Sequence, residues 1–407
     1  MTRVHLATFA LALSGLLPAC GGDDGPSLDS NQSPFRDKWR TEHEGEFQLV
    51  DEEGNPAISN IIVGNSLGSN DNFVNRGDVI VKFDGAPNTI KIEFRRFTFA
   101  ESEEAAGEIY DRLQLWSFNS STNSPKKPDE MDEEDRCGGE NDNGDPYPWQ
   151  EGCAIYVYYD GQSQLQRAGA DIRVTLPPDY REGVDIATAD NVIEDSYPNR
   201  GNVCVEGLNG TVDIDLQNGL AFVSVVSDSA YPSCPPAGVE ACENWDDPET
   251  DGPDAWAKEC DCINGSNYDP GNVKVESLEP SSANITVDVP ADLWTSFRAE
   301  NAGENSLSGK NCPSEIGAIG TVEYDQGGND PNKPWLRSGI ANKPPAAPAG
   351  GFRLDLKSNG CESVAEVEAP KDWDAEVTDF ESEIRGNIEV CSGCLAGKSC
   401  EDLLPGG

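Results

Sequence analysis

Histidine is almost absent: the 407-residue chain has two, His5 and His43. Histidine-based triads and most histidine-ligated metal centres are excluded by supply alone. Basic residues are scarce as well. Lys and Arg number 29 against 74 Asp and Glu, a formal charge of −45. A surface of that sign repels phosphate backbones and excludes nucleic acid as a partner. Apolar residues are thin, 36% of the chain at a mean hydropathy of −0.55. No stretch approaches the roughly 18 consecutive apolar residues of a spanning helix. The glycines punctuate strand-like runs and lead into no helix, so there is no phosphate-cradling loop. Turn formers are plentiful, with 41 Gly and 28 Pro. That composition suits a core of sheets and turns rather than helical layers.

Residues 1–20 read MTRVHLATFALALSGLLPAC. Arg3 gives a positive start and residues 6–17 a short apolar run, the order of a signal peptide. The ending Leu17-Pro18-Ala19-Cys20 resembles the lipobox of bacterial lipoproteins. The resemblance implies that residues 1–19 are removed, that Cys20 is acylated, and that the lipid (a palmitate-type chain) holds the protein to a membrane. An ordinary secretory signal with a coincidental cysteine is the alternative. Residues 20–33 form a polar Gly/Asp/Ser tether, which would hold an acidic body clear of an anionic bilayer beyond the Debye length of about 8 Å. Gly21 follows the cysteine where an Asp can signal inner-membrane retention, so the expected location is the outer membrane, lipid-anchored and exposed to the surface or periplasm.

There are 13 Cys, and acylation of Cys20 leaves 12. Export makes pairing their default fate. Cys137 and Cys153 bracket a Gly/Asp/Pro-rich loop and are the expected disulfide; Cys312–Cys361 is a second candidate. Cys391 and Cys394 have the spacing of a redox pair or a zinc knuckle. Neither a βαβ pattern nor a second Cys/His pair accompanies them, which favours a structural role. Two acidic loops suit calcium, a hard cation that takes oxygen ligands on Gly turns. One, residues 140–145 (ENDNGD), offers Asp142 and Asp145; the other, residues 246–254 (DDPETDGPD), offers Asp247, Asp251 and Asp254. Neither completes an EF-hand pattern, and solvated acidic loops are the competing reading. No other cofactor is expected.

Four segments repeat one pattern: residues 77–81 (GDVIV), 201–205 (GNVCV), 271–275 (GNVKV) and 386–390 (GNIEV). Gly with Asn or Asp takes a turn, and the alternation after it sends apolar side chains to one face of a strand. A second pattern occurs at 171–180 (DIRVTLPPDY) and 284–293 (NITVDVPADL). Short strands separated by Gly/Asn turns predict an all-β fold, a β-solenoid whose coils stack on a narrow aliphatic core. A β-sandwich shares the same signals and is the alternative. The expected body spans 34–392, with acidic, partly Cys-rich insertions near 120–152, 230–268 and 300–350, and a Cys-containing tail over 393–407. One helix is expected at 100–116, with Ala105, Ile109 and Leu113 on its apolar stripe and acidic residues in its first turn. The run CAIYVYY at 153–159 reads as a strand.

Taken in order, the Gly-Asp-Val opening, a strand with Arg95-Arg96, the Glu/Ala helix, the aromatic strand, DIRVTLPP and the Gly-Asn-Val copies resemble the head-GIN type of adhesin-like cell-envelope domain. The resemblance covers about 75–300 and extends more weakly to 392. It implies a repetitive β-solenoid and brings no catalytic residues. Asp213 and Asp215, two apart on one strand, have the roughly 7 Å spacing that glycosidic acid/base chemistry uses; solvent-facing side chains around inward Val212 and Ile214 are the plainer explanation, and no catalytic residue is assigned. His43 lies in a polar stretch and reads as exposed. Trp116, Trp149, Trp245, Trp256 and Trp294 could serve a glycan-binding flank or the core. The expected function is a lipid-anchored, non-catalytic envelope module, an adhesin-like binder or scaffold with a glycan or envelope protein as partner. A polysaccharide-active solenoid enzyme and a passive structural protein are the alternatives.

Overall fold

The computed structural model describes residues 35–46, 60–64, 77–119 (except 99 and 101), 153–159, 168–180, 183–188, 201–216, 219–226, 272–277, 283–301 (except 292 and 294), 316–318, 321–326, 335–341, 352–358 and 387–404. These residues are mostly strand, in two sheets. Numbered along the chain, the first sheet runs β1 (Phe35–Arg36), β5 (Thr89–Thr98), β8 (Ala168–Thr175), β4 (Val79–Lys82), β10 (Val203–Leu208), β12 (Gly219–Val225), β14 (Ala283–Asp288), β20 (Ile388–Cys391) and β16 (Ile316–Ala318), with β2 (Arg40–Glu46) also on β5. The second runs β17 (Thr321–Gln326), β18 (Trp335–Ala341), β15 (Thr295–Asn301), β19 (Phe352–Ser358), β13 (Asn272–Ser277), β11 (Thr211–Leu216), β9 (Gly183–Ala187), β3 (Asn60–Gly64), β7 (Cys153–Tyr159) and β6 (Leu113–Asn119).

Consecutive strands from β9 to β15 alternate between the sheets, and within each sheet the central strands pair in parallel. Antiparallel strands end the second sheet and one end of the first, with β5 on β8, β6 on β7, and β18 with β17 beyond β15, while β16 ends the first sheet in parallel on β20. Alternation does the sorting. In β11, Val212, Ile214 and Leu216 are fully buried while Thr211, Asp213 and Asp215 are half-exposed. The inward residues of both sheets form one apolar core, which includes Val79 and Val81, Val203 and Val205, Val273 and Val275, and Ile388 and Val390 from the four repeat segments. Three of those segments lie in the first sheet and the 271–275 copy in the second.

The repeat has a physical cause. Asp78 Oδ1 accepts from the backbone nitrogen and Nδ2 of Asn202, Asn202 Oδ1 accepts from Leu220 N, and Asn284 Oδ1 accepts from Asn387 N. Each side chain thus ties one strand entry to the next. The glycine before Asp78 and before Asn202 lets the backbones meet: a Cβ on Gly77 would lie 1.9 Å from the Ala170 carbonyl oxygen, and one on Gly201 2.7 Å from that of Gly77. The second pattern also makes one local structure twice. Tyr180 N donates to Pro177 O and Leu293 N to Pro290 O, both at 3.1 Å, and each turn buries its last residue.

The helix is shorter than its stripe suggests. α1 spans Glu103–Tyr110, capped by Ser102 Oγ accepting from Ala105 N at 3.2 Å. Leu113 belongs to β6, where Leu113 and Leu115 are buried and pair antiparallel with β7. The alternation in LQLWSFN overrides the helical spacing because the aromatic strand offers a full ladder of partners. Strand β7 covers the whole CAIYVYY run.

Candidate functional site

The outer faces of the two sheets are used differently. On the first, N- and C-terminal segments lie across β5, β8, β4 and β10. Asp171, on β8, is buried, and its Oδ2 accepts from Arg36 Nη1 at 2.6 Å and from Arg95 Nη2 at 2.7 Å. Its Oδ1 accepts from the Asp78 backbone nitrogen at 3.1 Å. Burial, with the Asp171 charge beside it, pushes the Asp78 carboxyl up to about 6. Arg96 pairs with Asp37 and donates to the Tyr110 carbonyl, while the Tyr110 hydroxyl donates to Phe35 O at 2.6 Å. Trp39 sits with the Arg173 and Arg95 guanidiniums 4.0 and 4.8 Å from its ring.

The C-terminal segment completes this cover. Helix α2 (Cys400–Leu403) is joined to β10 by the Cys204–Cys400 disulfide, and Glu401 pairs with Lys82 at 2.7 Å and Arg173 at 3.1 Å. Burial works against the Glu401 charge, but the Lys82 hydrogen bond and both cations hold its carboxyl below the usual range. Ile80, Cys204, Cys400 and Leu404 form an apolar cluster beneath, with Trp39, Phe222 and Leu403 packed on it.

The outer face of the second sheet carries ordered charge. The parallel registers set Asp185, Asp213, Lys274, Asp355 and Arg298 side by side across β9, β11, β13, β19 and β15. The next row holds Asp215, Glu276, Lys357 and Glu300. Ion pairs at 2.9 Å join Asp213 to Lys274, Glu276 to Lys357 and Arg298 to Glu300. Asp213 and Lys274 side chains keep 38% and 39% of their exposure, so this face meets solvent. Burial, then the Asp213 charge, raises the Asp215 carboxyl above its ordinary value. Burial disfavours the Lys274 charge, but its hydrogen bond to Asp213 and the surrounding carboxylates raise it on balance.

A third cluster brings Asp288, Cys391 and Cys394 together, their ligand atoms within 4.8 Å of one another. The group could hold a metal ion. In this structure the two cysteines are joined as a disulfide. Sequence reasoning did not foresee Asp288 beside them, nor Cys204–Cys400, nor the arginine and Trp39 cluster; only the unpaired cysteine count hinted at a partner for Cys204. Cys153 is disulfide-bonded; its expected partner, Cys137, lies outside the described residues. Cys20, Cys312, Cys361, the calcium candidates Asp142, Asp145, Asp247, Asp251 and Asp254, and Trp149, Trp245, Trp256 and Trp294 also lie outside them. His43 and Trp116 fall on β2 and β6, with side chains that are not described. Asp213 and Asp215 face outward, as their alternation with Val212 and Ile214 requires.

Among the described residues no helix is long and apolar enough to cross a membrane. No family model matches the chain, and no curated protein matches it. Among solved structures the chain is similar to a Clostridium sporogenes protein described as a candidate cell adhesion protein, at 7% identity and a TM-score of 0.37, over 88% of this chain and 100% of that one.

Proposed function

We propose that this chain is a non-catalytic, lipid-anchored envelope module that binds a polar partner, a glycan or an envelope protein, through the outer face of its second sheet. The observation that carries the reading is the difference between the two faces. The first is covered over β5, β8, β4 and β10 by the chain's own terminal segments, while the second presents parallel rows of half-exposed charge at strand spacing. Side chains fixed on adjacent parallel strands are ordered before binding, which lowers the entropy lost on contact. The winding between two parallel sheets supports a short β-solenoid, a rigid support for such a surface. Anchorage through Cys20 and an outer-membrane location rest on the lipobox resemblance, and mass spectrometry of the mature N-terminus tests them: a mature end other than an acylated Cys20 refutes the anchor.

One observation favours a second reading, a polysaccharide-active enzyme. Burial and the neighbouring Asp213 charge raise the Asp215 carboxyl, and a raised carboxyl is what a general acid at neutral pH requires. A glycan array run beside a reducing-sugar assay separates the two. The binding reading expects retention without sugar release, and loss of retention in Lys274→Glu with Lys357→Glu. Sugar release that Asp215→Asn abolishes would establish the enzyme instead. Neither binding nor release would leave a passive scaffold.

A further inference from the structure

The Asp288–Cys391–Cys394 cluster lies where the last repeat strand leaves the first sheet. β14 and β20 pair in parallel with Asp288 directly beside Cys391. The turn after β20, with Gly393 at φ +77°, returns Cys394 to bonding distance of Cys391. The Asp288 carboxylate is gripped by the same turn: Gly393 N donates to Oδ1 at 2.6 Å and Leu395 N to Oδ2 at 2.8 Å. Neither bond involves sulfur, so opening the disulfide does not itself break either of them. In the sister segment 171–180 the matching position is Thr175; the carboxylate occurs in the copy that faces the cysteine turn.

We propose that the dithiol form of this turn binds a thiophilic divalent cation of the zinc class, with Cys391 Sγ, Cys394 Sγ and an Asp288 oxygen as protein ligands and solvent in the fourth position. Three protein ligands with one open place is an ordinary zinc arrangement. Two sulfurs in the set select against calcium, which takes six to eight oxygens. The two amide donors fix the direction of the carboxylate, the task of outer-sphere hydrogen bonds at metal centres. A dithiol reductant opens the site: it supplies two electrons and two protons, the S–S bond breaks, two thiols form, and the reductant leaves as its own disulfide. Cation binding then displaces both thiol protons to solvent. The disulfide form has no thiolate to offer, so oxidation closes the site. Asp288 and Cys391 are buried and Cys394 is half-buried, which places the entry route at Cys394. This inference is independent of the charged face proposed above.

The test is cobalt titration of the full chain before and after treatment with a dithiol, followed by absorbance. The expected result is a thiolate-to-cobalt charge-transfer band that appears only after reduction, saturates at one cobalt per chain and is displaced by zinc. Cys394→Ser, a change at the half-buried position, abolishes the band. Asp288→Asn, which removes a direct ligand, weakens cobalt binding by at least the roughly 10-fold that losing an outer-sphere partner costs. No band in the reduced chain overturns the proposal, as does a band that Cys394→Ser leaves unchanged, since other reduced cysteines would then be its source.

Discussion

Asn202 donates twice to the Asp78 carboxylate, from its backbone nitrogen at 3.2 Å and from Nδ2 at 2.8 Å. The two residues hold the same place in successive repeat segments, and Asn occupies that place in the other two. Asp78 is the acidic exception, buried beside Asp171 with a carboxyl near 6 rather than its ordinary 3.8. The raised value means that the folded chain takes up a proton which the unfolded chain refuses between about pH 6 and pH 4. The ionised form therefore costs stability above pH 6, and that cost is relieved as pH falls. Asp78→Asn keeps an acceptor for Asn202 and removes the charge. At pH 7.5 it should be more stable than the native chain by up to about 3 kcal/mol, with the gap closing toward pH 4. Paired denaturant titrations across that range check this; a gap independent of pH would contradict it.

Two glycines should respond oppositely to alanine. At Gly77 the added Cβ would meet the Ala170 backbone at 1.9 Å, so Gly77→Ala should cost at least about 3 kcal/mol or prevent folding. Gly107 lies inside α1 with nothing within 4 Å of its added Cβ. Gly107→Ala should stabilise by about 0.5–1 kcal/mol through helix propensity alone. Thermal melts of the two variants decide both.

The Cys204–Cys400 bond closes a sequence separation of 196 residues. Removing it with Cys204→Ser and Cys400→Ser together should cost about 2–5 kcal/mol, chiefly by freeing the unfolded chain. Hydrogen exchange should then rise in α2 before it rises in β10, because α2 is then held by the Lys82 and Arg173 ion pairs, the Cys400 N–Glu206 hydrogen bond and its apolar contacts rather than by a strand ladder. Exchange rising equally across the first sheet would show the bond to be part of the core instead.

The charged face should be separable from folding. Lys274→Ala breaks a half-exposed pair with Asp213 and should change stability by about 1 kcal/mol or less. Ile214→Ala, one position along the same strand from Asp213 and fully buried, should cost about 2–5 kcal/mol. Chemical denaturation of the two variants checks the contrast. A large loss from Lys274→Ala would mean that the ladder holds the fold together rather than standing ready for a partner.

Alternation and turn chemistry are local signals, and the sequence alone determined their consequences. The Gly-Asn/Asp-Val/Ile segments had to run into strands, Val212 and Ile214 had to face opposite to Asp213 and Asp215, and residues 153–159 had to be a strand. Each rests on the period of two along a strand, which neighbours in space do not change. Which sheet a repeat joins was not written locally: the 271–275 copy sits across the core from the other three because the chain alternates sheets as it winds. Leu113 shows the limit from the other side, since a helical spacing lost to a strand partner some forty residues away. The pairings of Asp171 with Arg36, Cys204 with Cys400, and Asp288 with Cys391 and Cys394 join residues up to 196 positions apart. Hydrogen bonds, ion pairs and disulfides act over a few ångströms in space, so only the tertiary structure could decide who met whom.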